Sequence, residues 1–401
     1  MDELRKSLLL LIKSALTGEK CALPDNLDYQ KICAMARAHG VSALVYYGAY
    51  NSGINVNREP FLALFSSVCG ETMLSEKQLF ELKRIENAFA AQSIDYMPLK
   101  GARLKRIYPK HEMRCMSDLD ILIKLDQYPI ITTIMEKLGY AHEVESDHEL
   151  IWKKENIKVE LHKRLIPSYN EDYYAYFGDG WNLARKVDDS TRYKMSREDE
   201  FVFIFTHLCK HYRDSGIGLK HLIDIWVYKR AYQGLDFGYI KRELNQLKIY
   251  EFYKNVIKTV EVWFEGKCDD EKTAYITDVA FNNGEFLRKD AKVLSAALKE
   301  VNSGKSVKQI KRKRFFNTVF VPYKYMRDYY PVLKKLPILL PFAWVYHLFK
   351  RLFTKGRLKK YHKEMEAIKQ NEVELYKKSL NFVGLDYNFG EQKSANSGDK
   401  K

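Results

Sequence analysis

The sequence lacks most features of a secreted or membrane-embedded protein. Its six cysteines are scattered, with no Cys-x-x-Cys pair and no regular spacing, so neither a disulfide framework nor a zinc ribbon is predicted. The N-terminal segment MDELRKSLLLLIKSALTGEK has only five consecutive apolar residues before Lys13, too few for a signal peptide. This pattern is typical of a reducing compartment. We expect a cytoplasmic protein without disulfide-linked partners.

A long uninterrupted apolar run is also missing. The longest one, from Leu336 to Phe349, is broken by Pro337 and Pro341, and it falls short of the roughly 20 residues that span a bilayer. A transmembrane helix is therefore not predicted. No internal repeat is visible. The 401 residues, 46% of them hydrophobic, are enough for two or three domains with separate cores.

Positive charge is abundant but confined to one segment. The chain has a formal net charge of +15, and the segment 305–360 alone contains sixteen Lys or Arg and one acid, which gives 16 − 1 = +15. Basic residues interleaved with aromatic ones suit an anionic membrane surface or a nucleic acid, and a helical domain with solvated lysines is the third alternative. The apolar stretch between basic ends favours the membrane surface, which predicts a peripheral location at the inner membrane face.

Changes in hydrophobic period divide the chain into five parts and predict an α+β protein. Residues 1–93 show the spacing of a helical N-terminal region. Residues 94–190 change to short apolar runs ended by glycine or turn residues, which predicts a small mixed-sheet core. Residues 191–303 return to a helical pattern, and 304–388 form a basic, aromatic-rich helical region. The polar residues 389–401 are predicted to be a disordered tail.

Two aspartates stand one residue apart at the start of an apolar run. In SDLDILIK, Asp118 and Asp120 project from the same face of a predicted strand. Two carboxylates that close repel each other unless a cation lies between them, and oxygen ligands without supporting Cys or His favour Mg²⁺ or Mn²⁺ over zinc. A solvated turn is the alternative interpretation. The apolar residues that follow Asp120 argue against it.

Other charged residues are candidates for the same site. Glu160, in the predicted strand KVELH, could supply a third carboxylate if its strand pairs with the first, and His162 shares its face. The apolar run IDYMPLKG ends in Lys100 and Gly101, where a lysine and backbone N–H groups can meet an anion. Arg114 offers a bidentate phosphate contact. An ordinary turn glycine and a surface arginine are the alternatives.

The string HLCKH places His207 and His211 four residues apart, on one face of a predicted helix. This is also a metal-ligand spacing. The first histidine is not followed by glutamate, as a zinc protease requires. A zinc site at these histidines is therefore not favoured.

These strings together resemble a known family. PLKGARLKRIYP, RCMSDLDILI and VELHKRL are similar to the bacterial group called the uncharacterised nucleotidyltransferase family, within the polymerase β-like superfamily. The resemblance implies that Asp118, Asp120 and Glu160 are the catalytic and metal-binding carboxylates. It implies nucleotide contacts from Lys100, Gly101, Arg114 and Ser117. It also implies a cleft lined by His162, His207, Lys210, His211 and Asp224.

The activity that the resemblance implies is the transfer of a nucleoside monophosphate from an NTP, such as ATP, to an acceptor with the help of Mg²⁺ or Mn²⁺. The acceptor is a small molecule, a protein or RNA, and the sequence does not distinguish them. Other members of the superfamily have Gly-Gly or Gly-Ser where this chain has Lys100 and Gly101, so we expect this turn to bind the triphosphate through different contacts. The rival hypothesis is a non-catalytic binding or membrane-surface protein with a vestigial core. The three carboxylates argue against it, and the basic C-terminal segment argues for it.

Overall fold

The computed structural model describes residues 1–282, 291–323, 326–327, 330–353 and 365–385. The chain divides into two compact units. Unit 1 comprises residues 1–212 and 216–287, and unit 2 comprises residues 213–215 and 288–401. The α+β class with helical flanks is confirmed. The predicted tail 389–401 lies outside the described residues.

Unit 1 begins with four helices that build an apolar core of their own. Asp2 caps the first helix by accepting a hydrogen bond from the backbone N of Arg5 at 2.9 Å. Apolar residues at helical spacing, among them Leu8, Leu11 and Ile12, are fully buried. The helices are α1 Glu3–Thr17, α2 Tyr29–Ala38, α3 Ser42–Asn51 and α4 Glu59–Ala91.

The centre of unit 1 is a five-stranded mixed sheet with the strand order β1-β2-β5-β4-β3. The strands β2 and β5 are parallel, and the other neighbouring pairs are antiparallel. The short helix α5 Lys100–Leu104 and the helix α6 Tyr128–Lys137 lie between strands along the chain. The strands are β1 Tyr96–Pro98, β2 Leu119–Ile123, β3 Ala141–Glu145, β4 Glu149–Lys154 and β5 Ile157–His162.

One face of this sheet is apolar and is covered by α4 and α6. Side chains at alternate strand positions, including Leu119, Ile121 and Val159, form a buried cluster with Phe89 of α4 and Ile131 of α6. Because successive strand residues point to opposite faces, the polar residues between them project from the other face. This alternation places the candidate site on the side of the sheet that α4 and α6 leave uncovered.

The chain then returns to helices. A short helix α7 Glu171–Phe177 and a two-stranded sheet precede α8. Ser196 caps the N-terminus of α8, because its Oγ accepts from the backbone N of Asp199 at 3.0 Å. The remaining elements of this part are β6 Arg185–Lys186, β7 Tyr193–Lys194, α8 Arg197–Asp214, α9 Leu219–Ala231, α10 Phe237–Gln246, α11 Tyr250–Glu265 and α12 Glu271–Asn282.

Unit 2 has its own helices and a small core. Val321, Met326 and Leu333 are buried together, and Trp344 packs against them. The helices are α13 Ala291–Asn302, α14 Val307–Val319, α15 Leu340–Phe353 and α16 Gln370–Phe382. No helix among the described residues combines the length and the apolar character needed to cross a bilayer.

Candidate active site

The two strands that carry the predicted carboxylates lie side by side. In the parallel pair β2 and β5, Asp120 stands opposite Glu160 and Leu122 stands opposite His162. Asp118 immediately precedes β2, which begins at Leu119. The sheet thus brings the aspartate motif and the third carboxylate together, although forty residues separate Asp120 from Glu160 along the chain.

Asp120 is buried and makes two strong polar contacts. Its Oδ1 lies 3.2 Å from Lys100 Nζ and 2.7 Å from His162 Nε2. Burial alone would raise the pKa of Asp120, but the Lys100 ammonium and the hydrogen bond with His162 outweigh it and hold that pKa below its ordinary value. Asp120 is therefore an ionised carboxylate inside the protein.

Lys100 reaches Asp120 from the first position of α5. Its backbone adopts a left-handed conformation with φ of 39°, which is uncommon and costly for a residue with a Cβ. Burial tends to lower the pKa of Lys100, but the carboxylates of Asp120, Glu160 and Asp118 raise it above its ordinary value. The ammonium is thus a fixed positive charge among the carboxylates.

The positive charges near Glu160 do not compensate the negative charge of the surrounding carboxylates. Lys158 Nζ lies 2.5 Å from its Oε1, and the same ammonium is 3.8 Å from Asp118 Oδ2. Burial, together with the carboxylates of Asp118 and Asp120, nevertheless raises the pKa of Glu160 to about 7. Two lysines do not balance the carboxylates of this site, so a further cation would be stabilised there.

A histidine and a glutamate at the start of β4 extend the cluster. His148 Nε2 lies 2.9 Å from Glu149 Oε2, and Glu149 lies close enough to Glu160 for its charge to raise the pKa of Glu160. Burial would raise the pKa of Glu149, but the hydrogen bond with His148 outweighs it and lowers that pKa to about 2. With a pKa of about 7, Glu160 carries a proton in a substantial fraction of the molecules at neutral pH.

Two overlapping groups in the described part of the chain could hold a metal ion. Each group offers three ligand atoms within 4.8 Å of one another. One consists of Asp120, Glu160 and His162, and the other of His148, Glu149 and His162. His162 adds a nitrogen donor to the carboxylate oxygens on which the expectation of Mg²⁺ or Mn²⁺ depends.

Three histidines form a row near Lys100. His207 Nε2 lies 3.3 Å from His211 Nε2 on α8, and the ring of His221 on α9 is 5.3 Å from that of His211. Burial and the charge of Lys100 hold the pKa of His207 well below its ordinary value. Lys210 contributes in the same direction. These rings are therefore neutral near pH 7, and His207 and His211 belong to neither candidate metal group among the described residues.

The residues predicted to contact nucleotide differ in burial and in the partners that they contact. Arg114 and Asp224 form a buried bidentate pair, with Arg114 Nη2 2.8 Å and Nε 3.2 Å from the two carboxylate oxygens. Tyr108 also donates to Asp224 at 2.6 Å. A Cβ on Gly101 would lie 3.1 Å from Met116 Sδ, so the turn is tightly packed. Ser117 is exposed beside Asp118. Their contacts with nucleotide stay predictions.

Four residues of the site are not among those predicted from the sequence, namely Lys158, His148, Glu149 and His221. Lys158 alternates with Glu160 along one strand face, so the strand pattern contained a signal for it. His148 and Glu149 enter the site only because β4 pairs with β5, with Glu149 opposite His162. His221 stands near the start of α9 in the string LKHLID, which gives no sign of its neighbours.

A comparison with known families matches most of unit 1. A family model described as an uncharacterised nucleotidyltransferase matches residues 25–265, more than half of the chain. This range includes the whole five-stranded sheet and the helices α8 and α9. No curated protein and no solved structure matches the chain.

Proposed function

The chain belongs to the uncharacterised nucleotidyltransferase family, and we propose that it transfers a nucleoside monophosphate from an NTP to an acceptor at the site around Asp118, Asp120 and Glu160. The observation that carries the proposal is the side-by-side pairing of Asp120 with Glu160 on parallel strands, next to the partly buried cation Lys100. Nucleotidyl transfer needs carboxylates that converge on a cation together with positive charge for the phosphates. Both are present.

The residues of the site fit a divalent cation. Asp120, Glu160 and His162 offer ligand atoms within 4.8 Å of one another, and the raised pKa of Glu160 indicates negative charge that the lysines leave uncompensated. Carboxylate oxygens suit Mg²⁺ and Mn²⁺, and the nitrogen of His162 favours Mn²⁺. A bound cation would polarise the phosphoryl oxygens and stabilise the charge that develops during transfer.

We assign the phosphate contacts to the lysines. Lys100 forms an ion pair with Asp120, and Lys158 forms ion pairs with Glu160 and Asp118. Once the carboxylates have a cation between them, the two ammonium groups are available for the triphosphate. Lys100 has the better position, because its ammonium contacts Asp120 and lies close enough to Glu160 and Asp118 for their charges to act on it.

His162 acts mainly as a positioning residue. It is almost completely buried, and its Nε2 contacts Asp120 at 2.7 Å and Glu160 at 3.7 Å. Among the described residues its Nδ1 has no hydrogen-bond partner. The ring therefore fixes the orientation of both carboxylates, and its position beside them also suits a metal ligand.

The remaining candidates for nucleotide binding are Gly101, Arg114 and Ser117. Asp224 occupies the bidentate edge of Arg114, so we propose that Arg114 acts by holding the loop before Asp118 in place. The neutral row of His207, His211 and His221 lies close enough to Lys100 to shift a pKa. We propose that this row lines the cleft for nucleotide or acceptor.

The test is a transfer assay on the purified full-length protein. Each labelled NTP is incubated with Mg²⁺ or Mn²⁺ and a lysate fraction as acceptor source, and pyrophosphate release and label transfer are measured. Glu160→Gln should lose turnover by orders of magnitude and still bind NTP. Glu155→Gln is the matched control, because Glu155 lies at the exposed turn of the same hairpin, and it should keep full turnover.

The vestigial alternative gives different results in the same assay. If the protein binds NTP but releases no pyrophosphate with any NTP, metal or lysate fraction, the site does not perform transfer. Unchanged turnover in Glu160→Gln would remove that residue from the reaction. Calorimetry with Mn²⁺ and a non-hydrolysable NTP analogue tests the metal site without any acceptor, and Asp120→Asn should abolish that binding.

A further inference from the structure

The helix α15 in unit 2 carries apolar side chains on two opposite faces. Its inner face packs on the small core and is anchored by Trp344, whose Nε1 donates to Val321 O at 2.7 Å. Its outer side carries Phe342, Val345 and Tyr346, which are 74%, 57% and 60% exposed. A helix that is apolar on both sides is ordinarily buried on both sides. The outer side is therefore a surface that fits a partner.

The apolar surface continues beyond the start of the helix. Ile338, in the short 3-10 turn Pro337–Leu339, is 81% exposed. Ile338, Phe342, Val345 and Tyr346 follow one another at the spacing i, i+4, i+7 and i+8, which is typical of one helix face. We call these four residues the outer face of α15. Scattered exposed apolar residues are common, but a continuous set of this size marks an interaction site.

Positive charge borders this face. Lys334 and Lys335 are exposed just before it, and Lys350 is exposed near its C-terminal end. The described residues of the segment 305–353 include no Asp or Glu. A partner for this face therefore has to be apolar in the middle and negatively charged around it.

We propose that the outer face of α15 binds the surface of an anionic membrane. Its apolar side chains would lie at the boundary between headgroups and acyl chains, and its lysines would lie among the anionic headgroups. The helix has 14 residues and a length of about 21 Å, so it lies in the interface and does not span the bilayer. Nucleic acid would use the lysines but has no use for exposed Ile338 and Phe342.

The test is sedimentation of the full-length protein with lipid vesicles. One set contains phosphatidylcholine alone, and the other contains phosphatidylcholine with phosphatidylserine. We expect binding to the anionic vesicles that falls as salt is raised, since salt screens the attraction of the lysines. No sedimentation with anionic vesicles, or equal sedimentation with both kinds, would overturn the proposal.

Variants separate the apolar part of the surface from its charge. Phe342→Ser with Val345→Ser should lower the partition coefficient by at least about tenfold. The matched control is Leu375→Ser, an equally exposed apolar position on α16, and it should have no effect. Because the substituted side chains are exposed, circular dichroism and thermal unfolding should be unchanged. An equal loss of binding in the control would overturn the role of the outer face.

A second pair of variants tests the charge without touching any core residue. Lys334→Gln with Lys335→Gln should lower the partition coefficient by about fivefold per charge. Lys137→Gln with Lys378→Gln removes the same net charge from exposed positions on α6 and α16 and should have a much smaller effect. Equal effects would show that binding depends on total charge only, which overturns a local site. Retention on RNA without retention on vesicles would assign the surface to nucleic acid.

Discussion

Replacing Glu160 with glutamine is expected to stabilise the metal-free protein above neutral pH. Burial and the carboxylates of Asp118 and Asp120 raise the pKa of Glu160 from 4.5 to about 7. A carboxyl with a raised pKa in the folded state ionises first in the unfolded state, so the free energy of unfolding falls as pH rises from the unfolded to the folded pKa. At about 1.4 kcal/mol per pH unit, the loss at about pH 8 is about 3 kcal/mol.

The glutamine has nearly the same size as the glutamate and carries no charge. It therefore removes this penalty, while Lys158 keeps Asp118 as a partner. Urea unfolding in EDTA measures the effect. The advantage of Glu160→Gln over the wild type should grow by about 2 to 3 kcal/mol between about pH 5 and pH 8. Saturating Mn²⁺ with an NTP analogue should reverse it, because a bound cation stabilises the ionised carboxylate of the wild type alone.

Glu81 provides a control of the opposite sign. Burial would raise its pKa, but contacts with Arg84 and Lys154 outweigh burial and lower it. Glu81→Gln should therefore destabilise the protein at about pH 8 by an amount that shrinks toward acidic pH. An advantage of Glu160→Gln that is the same at both pH values, or a gain in stability from Glu81→Gln, would refute the charge balance described for the site.

Three further substitutions test other parts of the protein. His162→Asn should weaken Mn²⁺ binding more than Mg²⁺ binding in calorimetry with an NTP analogue, because imidazole is a poor ligand for Mg²⁺; equal losses would contradict a role as ligand. Asp224→Ala leaves the buried Arg114 without its carboxylate and should cost about 3 to 5 kcal/mol in urea unfolding; a loss near zero would contradict the buried pair. Gly48→Ala would bring a Cβ against the backbone carbonyl of Leu11, so Tm should fall by several degrees, and an unchanged Tm would contradict this close packing.

Local patterns predicted the strands that carry the site. Two alternating runs flank Glu155 and Asn156, a pattern that predicts a hairpin, and the structure places the turn between β4 and β5 there, with Glu155 at a φ of 50°. The run after Asp120 was expected to be a buried strand, and all five residues of β2 are buried. These predictions are correct because each element contains its own signal, namely a period of two and a turn residue.

The strands and contacts that were missed have no local signal. All five residues of β3 are exposed, so its sequence AHEVE has no apolar face to reveal a strand. The strands β6 and β7 have two residues each, too few for any period. The neighbours of Asp120 depend on the register between β2 and β5 and on the left-handed turn at Lys100. Pairing between distant segments is a property of the tertiary structure, so a short stretch of sequence does not predict it.

The charge balance of the site indicates how it would receive its substrate. Without a metal, Lys100 and Lys158 neutralise much of the charge of the carboxylates, and the proton on Glu160 removes more of it. A free divalent cation would therefore have to displace two ammonium groups from their carboxylate partners. A cation that arrives with an NTP brings the phosphate oxygens that these lysines need. We infer that metal and nucleotide bind cooperatively, since each supplies the partner for the charges that the other displaces.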